Sequence, residues 1–568
     1  MNRSWWKESV VYQIYPRSFC DSNGDGIGDL PGITRRLDHL KALGVDVVWL
    51  SPVYRSPNDD NGYDISDYRD IMAEFGTMAD FDAMLEAMHE RGIRLMMDLV
   101  VNHSSDEHAW FQAARASRAD PHHDYYVWRE PAPGGGPPNN WESAFGGSAW
   151  EWNEATGEYY LHVFSKKQPD LNWENPRLRS EVYDLMHFWL GKGVDGFRMD
   201  VINMISKPYE DGGRLPDAPV MRPGFLQPSF GMVTNGPRLL EFLREMKREV
   251  LRHYDCITVG EAPCATTRQG MELTNEQSGA LNMLFQFEHM ELDSVPGHPW
   301  GKWGCKPFEL RELKATMTRW QDELVGRGWN SLYLSNHDQP RPVSRFGDDG
   351  VHRVASAKML GTFLHGLQGT PYVYQGEELG MTNFPFDGPQ DLRDIESINF
   401  WREAVDERGE DAAAVLDAIR RKGRDNARTP MQWDASPHAG FTSGTPWIAV
   451  NPNHARVNAE AEAADPGSVF HHYRRLIELR RSQPALVYGR YRPILAEHPQ
   501  IYAWLRTLYD DRLLVVCNFG AAPVAFALPD EIEALRWPLL IANYPVDPAA
   551  DVRSFELRPF EARIHRLQ

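Results

Sequence analysis

The chain has 568 residues, of which 42% are hydrophobic and 25% charged, and carries a net charge of −20. That length exceeds one ordinary core and predicts roughly two to four domains, while so acidic a surface repels phosphate backbones and anionic lipid, which excludes nucleic acid and membranes and fits a neutral substrate. Five irregularly spaced cysteines (Cys20, Cys256, Cys264, Cys305, Cys517) suggest neither a disulfide framework nor a zinc site, and with no signal-like or ~18-residue apolar run the chain reads as cytoplasmic, a monomer or weak oligomer.

Along the chain, short apolar runs rich in β-branched and aromatic residues stop abruptly at polar ones. Residues 10–15 precede Pro16-Arg17, 45–50 precede Ser51-Pro52, and 93–101 precede Asn102-His103. Residues 194–199 run into Asp200, 257–260 into Glu261, 332–335 into Asn336-His337-Asp338, and 371–374 into Gln375-Gly376-Glu377-Glu378. Helical periodicity fills the gaps, as at 81–91 and 179–191. Strands alternating with amphipathic helices predict parallel βαβ units. Polar residues at so many strand ends favour an α/β fold of the (β/α)8 TIM-barrel type, whose function sits at the C-terminal ends of several strands. A doubly wound sheet would call for a glycine-rich phosphate loop, and none is present.

Residues 104–171, rich in Trp, Tyr, Pro, Gly and Asn, are too long for a structureless loop and predict an inserted subdomain after the third strand. A second irregular stretch spans 382–444. From 486 onward, alternating runs at 491–495, 501–506, 513–519 and 539–543 predict a separate antiparallel β-sandwich. The expected organisation is therefore barrel (1–103), insertion (104–171), barrel (172–485) and C-terminal β-domain (486–568).

Three strand-end acids carry the candidate chemistry: Asp200 in Gly-Phe-Arg-Met-Asp, Glu261 in Thr-Val-Gly-Glu and Asp338 in Asn-His-Asp-Gln. Two carboxyl groups from adjacent strands can flank a glycosidic bond, one attacking and one protonating. Arg198, two residues before Asp200 on the same strand face, would keep Asp200 ionised, whereas Glu261 must rest protonated in a less solvated setting. His103 and His337 would face the mouth. The loop 21–29 places Asp21, Asn23, Asp25, Ile27 and Asp29 at alternating positions with a glycine at the sixth, a spacing that wraps a hard cation such as Ca²⁺. It lacks the final glutamate of an EF-hand, since Gly32 stands there. A structural Ca²⁺ is expected.

Together, the blocks at 98–103, 196–200, 261 and 336–338 resemble, in order and spacing, four motifs of the α-amylase superfamily (glycoside hydrolase family 13), and the similarity runs nearly end to end. The resemblance is closest to the oligo-1,6-glucosidase and α-glucosidase branch. It implies Asp200 as nucleophile, Glu261 as acid/base and Asp338 as transition-state stabiliser. It also implies a glucose-holding shell of Tyr63, Asp64, His103, Phe164, Arg198, His337 and Arg428, with Asp64 and Arg428 closing the pocket on the terminal hydroxyls. The 21–29 loop is similar to a Ca²⁺ site of that branch.

Two features speak to linkage. Gln168-Pro-Asp-Leu-Asn172 resembles the signature of the oligo-1,6-glucosidase subfamily, and Val201, directly after Asp200, resembles the α-1,6-preferring members. An apolar side chain there offers nothing to a secondary hydroxyl, a modest effect. The expected activity is removal of terminal glucose from isomalto-oligosaccharides, with sucrose or maltose as further substrates. Transglucosylation or sucrose isomerisation through the same intermediate is the alternative, although the Arg-rich loop shared by sucrose isomerases is replaced here by Glu-His-Met-Glu-Leu-Asp-Ser-Val at 288–295. A non-catalytic transporter subunit on this scaffold would have lost its acids and carried a membrane helix.

Overall fold

A computed structural model of the chain describes residues 3–547, 551 and 553–568. Eight strands, β1 (Val11–Ile14), β2 (Val47–Leu50), β3 (Arg94–Leu99), β4 (Gly196–Met199), β5 (Ile257–Glu261), β6 (Met283–Phe285), β7 (Ser331–Leu332) and β8 (Thr370–Tyr374), pair in the order β6-β5-β4-β3-β2-β1-β8-β7. Every pairing is parallel. A parallel bridge between Leu284 and Asn330 joins β6 to β7 and closes the cylinder. Strands covered on both faces need apolar residues throughout, which is why they read as continuous runs. Gly196 opens β4 because a Cβ there would lie 1.9 Å from the Ile257 carbonyl oxygen of β5.

Eight helices, α1 (Leu30–Leu43), α2 (Met78–Glu90), α3 (Pro176–Gly191), α4 (Leu239–Glu249), α5 (Thr267–Thr274), α6 (Leu310–Leu324), α7 (Arg353–Gly366) and α8 (Val469–Ser482), follow the strands in turn. In α4 the residues Leu239, Phe242, Leu243 and Met246 form one buried stripe at helical spacing. The first two are capped locally: Asp29 accepts the Gly32 N–H before α1, and Thr77 with Asp80 forms a capping box before α2.

The expected seven strands are present, and β6 is an addition. Three residues, Met-Leu-Phe, are too short for a periodicity to register. The insertion at 104–171 contains small antiparallel strands such as Trp150–Asn153 against Glu158–Leu161. It does not pack alone. Trp141, Trp150, Leu161 and Val163 share a core with Met204, Leu215 and Val233 from the segment after β4, and Gln227 pairs in parallel with Trp141. The roof over the barrel is thus built from two chain segments, of which the sequence pattern marked one.

Beyond residue 489 the strands β9 (Arg490–Ile494), β10 (Ile501–Leu508), β11 (Asp511–Asn518), β12 (Leu539–Ala542) and β13 (Ala562–Leu567) form an antiparallel sheet. Along β10, Ile501, Ala503 and Leu505 face a small core completed by the strand pair Val524–Ala527 and Ser554–Leu557. The alternate residues Tyr502 and Trp504 join the barrel core, and Trp504 Nε1 donates to the Gly366 carbonyl at the end of α7. Among the described residues no helix is long and apolar enough to cross a membrane.

Candidate active site

A cavity of about 950 Å³ opens at the C-terminal ends of the barrel strands, lined by Asp200, Glu261, Asp338, Asp60, Tyr63, His103, Phe164, Val201 and Arg424 among others. Arg198 sits buried at its base. Its Nη1 donates to Asp98 Oδ1 (2.8 Å) and to Asp200 Oδ1 (2.7 Å), and its Nη2 pairs with Glu261 Oε2 at 2.7 Å. One guanidinium gripping both acids holds those two oxygens within about 8 Å, the reach of two ion pairs and the fork between them. That admits the ~5–5.5 Å carboxyl separation at which one acid attacks and the other donates a proton.

Glu261 Oε2 also accepts the Val201 N–H at 3.0 Å. Val201 holds φ +33° and ψ +41°, a left-handed conformation rare for a β-branched residue, so the chain spends strain to aim this N–H. Among the described residues, Asp200 Oδ2 and Glu261 Oε1 accept no protein hydrogen bond. These are the two oxygens left for a ligand.

Burial pushes the Asp200 carboxyl well above the usual range; Arg198 opposes the rise, and the charges of Glu261 and Asp98 add to it. Asp98, within β3, is raised by burial too, against Arg198 and hydrogen bonds from Tyr63 and Trp49. Three carboxyl groups thus compete for one guanidinium, and burial works against ionisation of both Asp98 and Asp200. The sequence reading, in which Arg198 keeps Asp200 ionised, leaves out the burial and the two neighbouring acids that oppose it.

Asp338 is the opposite case. Burial would raise it, but the Arg424 and Arg428 guanidinium groups hold it far below the ordinary carboxylate range. Its Oδ1 takes Arg428 Nη2 (2.9 Å) and Arg424 Nη1 (3.3 Å). It is a fixed anion at the cavity wall. His337, pushed down to about 3 by burial, and His103, pushed down to about 4 for the same reason, are neutral at pH 7. The His337 ring stacks on Tyr63 with centroids 5.0 Å apart and planes at 5°. His103 lies 5.2 Å from Phe164 and donates from Nε2 to the Tyr63 carbonyl at 3.1 Å.

Arg198, His337, Gln168 and Arg428 stand behind the cavity surface. Asp64 is a correction: its carboxylate is fully buried and accepts the N–H groups of Asp59 (2.8 Å) and Asp60 (3.1 Å) and the Ser56 hydroxyl (2.9 Å). It folds the turn that presents Asp60. Arg428 is another, bound to Asp338, Asp394 and the His337 carbonyl. The pair that lines the cavity is Asp60–Arg424, at 3.0 Å, backed by Gln168 Nε2 on Asp60 Oδ2 (3.2 Å) and by buried Asp394. The two arginines stand one helical turn apart in Arg-Asp-Asn-Ala-Arg, so spacing alone could not choose between them.

The loop Asp21–Asp29 curls through side-chain caps: Asp21, Asn23 and Asp25 each accept the N–H two residues on, all at 2.9 Å. Among the described residues no three acidic, histidine or cysteine side chains converge as a metal cage, so a cation there would draw on Asn23 and the Ile27 carbonyl as well.

Residues 13–489 match the family described as alpha amylase, catalytic domain, and residues 491–564 match maltogenic amylase, C-terminal domain. An oligo-1,6-glucosidase of Parageobacillus thermoglucosidasius is 61% identical over 568 residues, covering 100% of both chains. A solved trehalose-6-phosphate hydrolase of Bacillus licheniformis superposes with a TM-score of 0.94 at 47% identity, and a solved isomaltulose synthase of Klebsiella sp. LX3 with 0.95 at 42%, each covering 100% of both chains.

Proposed function

The chain belongs to the α-amylase family of glycoside hydrolases, and on that footing we propose that it is an exo-acting, retaining α-glucosidase that prefers terminal α-1,6 bonds of isomalto-oligosaccharides. The observation that carries the chemistry is the single Arg198 fork holding Asp200 and Glu261, each with one oxygen free toward the cavity. Asp200 Oδ2 attacks the anomeric carbon, the bond to the leaving oxygen breaks, and Glu261 supplies that oxygen's proton. Glu261 then takes a proton from water, whose oxygen displaces Asp200 and releases glucose with its configuration retained. Asp338, ionised throughout, stabilises the positive charge that develops on the ring.

The Asp60–Arg424 pair supports exo action, because it closes the cavity where the terminal hydroxyls of a bound glucose would lie. Asp60→Ala is expected to raise KM for isomaltose roughly 10- to 100-fold with a smaller loss of kcat. Asp64→Ala is expected to lower the melting temperature more than Asp60→Ala does. The reverse pattern, measured by steady-state kinetics and calorimetry, would return Asp64 to the substrate.

Linkage preference rests on Val201 and on the similarity to oligo-1,6-glucosidases. Val201→Thr keeps a β-branched residue in the strained conformation and exchanges one methyl for a hydroxyl. It is expected to raise the maltose-to-isomaltose ratio of kcat/KM about tenfold. An unchanged ratio would remove Val201 from the argument. Each lysine and arginine lining the cavity is paired: Arg222 with Glu142, Lys302 with Glu396, Arg345 and Lys422 with Asp293, Arg408 with Glu410, and Arg424 with Asp60. None stands free for a phosphate, which favours a neutral sugar over a phosphorylated one. A panel of isomaltose, maltose, sucrose, trehalose and trehalose-6-phosphate with product identification tests the whole reading; isomaltulose or trehalulose as the main product from sucrose would favour the isomerase alternative.

The donor chemistry of Asp21, Asn23, Asp25, the Ile27 carbonyl and Asp29 fits a structural Ca²⁺, a hard cation bound through oxygen alone. A chelator is then expected to lower the melting temperature while leaving kcat nearly unchanged at 25 °C, and no thermal shift would count against a bound ion. A cytoplasmic setting fits five cysteines that all stand free.

A further inference from the structure

The loop between residues 219 and 227 holds Val220, Met221 and Phe225 out in water, at 82%, 73% and 61% exposure. Single exposed apolar residues are common, but three within six positions at the rim of a binding cavity mark a contact surface. The loop is also built to stay where it is. Gln227 is fully buried; its Oε1 accepts the N–H groups of Met221 (2.7 Å) and Arg222 (3.1 Å), and its Nε2 donates to the Arg222 and Gly224 carbonyls, both at 2.9 Å. Gln227 is itself tied to the roof through its N–H on the Asn140 carbonyl at 2.8 Å. Arg222 is spent on Glu142. The outcome is a fixed apolar shelf whose aromatic member, Phe225, lines the same cavity as Asp200 and Glu261, with Trp300 among the other lining residues.

We infer that Phe225 is a stacking platform for the third glucose unit of a bound oligosaccharide, counted from the end that is cleaved, and so sets a preference for trisaccharides over disaccharides. This rests on the α-glucosidase reading above. Hexose rings present C–H faces that pack on aromatic rings, and such a contact is specific to shape rather than to linkage. The cavity, near the upper end of ligand-pocket volumes, accommodates more than the two units that flank the broken bond.

The test is kcat/KM for isomaltose and isomaltotriose in the wild type, Phe225→Ala, Phe225→Tyr and Gln227→Ala. The trisaccharide-to-disaccharide ratio is expected to fall roughly fivefold in Phe225→Ala, mainly through KM, and to hold in Phe225→Tyr. Gln227→Ala, which frees the loop, should lower the same ratio. Equal losses on both substrates, or no change in Phe225→Ala, would overturn the proposal. A change in oligomeric state by light scattering with the ratio intact would do the same, assigning the shelf to a second copy of the chain. Running maltose and maltotriose in parallel keeps the two questions apart, since an enzyme indifferent to α-1,6 bonds would still report the length ratio.

Discussion

Asp200→Asn is expected to lower kcat at least about 10⁴-fold while the fold survives. An amide offers no anion to the anomeric carbon, and losses of a nucleophile in enzymes that work through a covalent intermediate run to roughly 10⁴–10⁶. Folding should not suffer, because the position is one of three carboxyl groups competing for Arg198. Burial raises Asp200 above its unfolded value, so over that window the native state binds more protons than the unfolded state and stability falls as pH rises. Asparagine removes this penalty. The variant's melting temperature should equal or exceed that of the wild type, with a larger gain at pH 7 than at pH 4. Activity within tenfold of the wild type would strip Asp200 of the nucleophile's role, and a variant destabilised more at pH 7 than at pH 4 would contradict the crowded-charge account.

Glu261→Gln should cost about 10²–10⁴ in kcat on isomaltose, the usual range for a missing general acid. Glutamine can still accept the Val201 N–H that now reaches Oε2, so the defect is chemical rather than architectural. The sugar leaving group of isomaltose departs as a poor base without its proton, whereas a nitrophenolate needs none. Single-turnover cleavage of 4-nitrophenyl α-glucoside should therefore fall far less than that of isomaltose. Equal losses on the two substrates would assign the proton to another group.

Much of the reactive centre was legible in the sequence because barrel strands obey a simple rule. A run of apolar residues ends, and the next side chain stands at the mouth. Asp200 and Glu261 follow it directly and Asp338 stands three residues past its run, while the parity of a strand brings Arg198 to the same face as Asp200. The rule has no purchase on the turn from residue 56 to 64. There Asn58 and Asn61 take positive φ, at 64° and 47°, and Asp59, Asp60 and Asp64 point in different directions although they lie within six positions. It is equally silent on α-helical neighbours one turn apart, such as Arg424 and Arg428.

Sequence alone determined the parallel barrel, the order of its strand-end acids and the separate C-terminal sheet, because periodicity and strand ends are local properties that survive any arrangement of the loops. Tertiary structure decided which of several equivalent acids and arginines lines the cavity, how three carboxyl groups share one guanidinium, and that a segment after β4 joins the insertion to roof the cavity. Those outcomes depend on packing between residues far apart in the chain, where burial and opposing charge, rather than residue type, set the direction and protonation of each side chain.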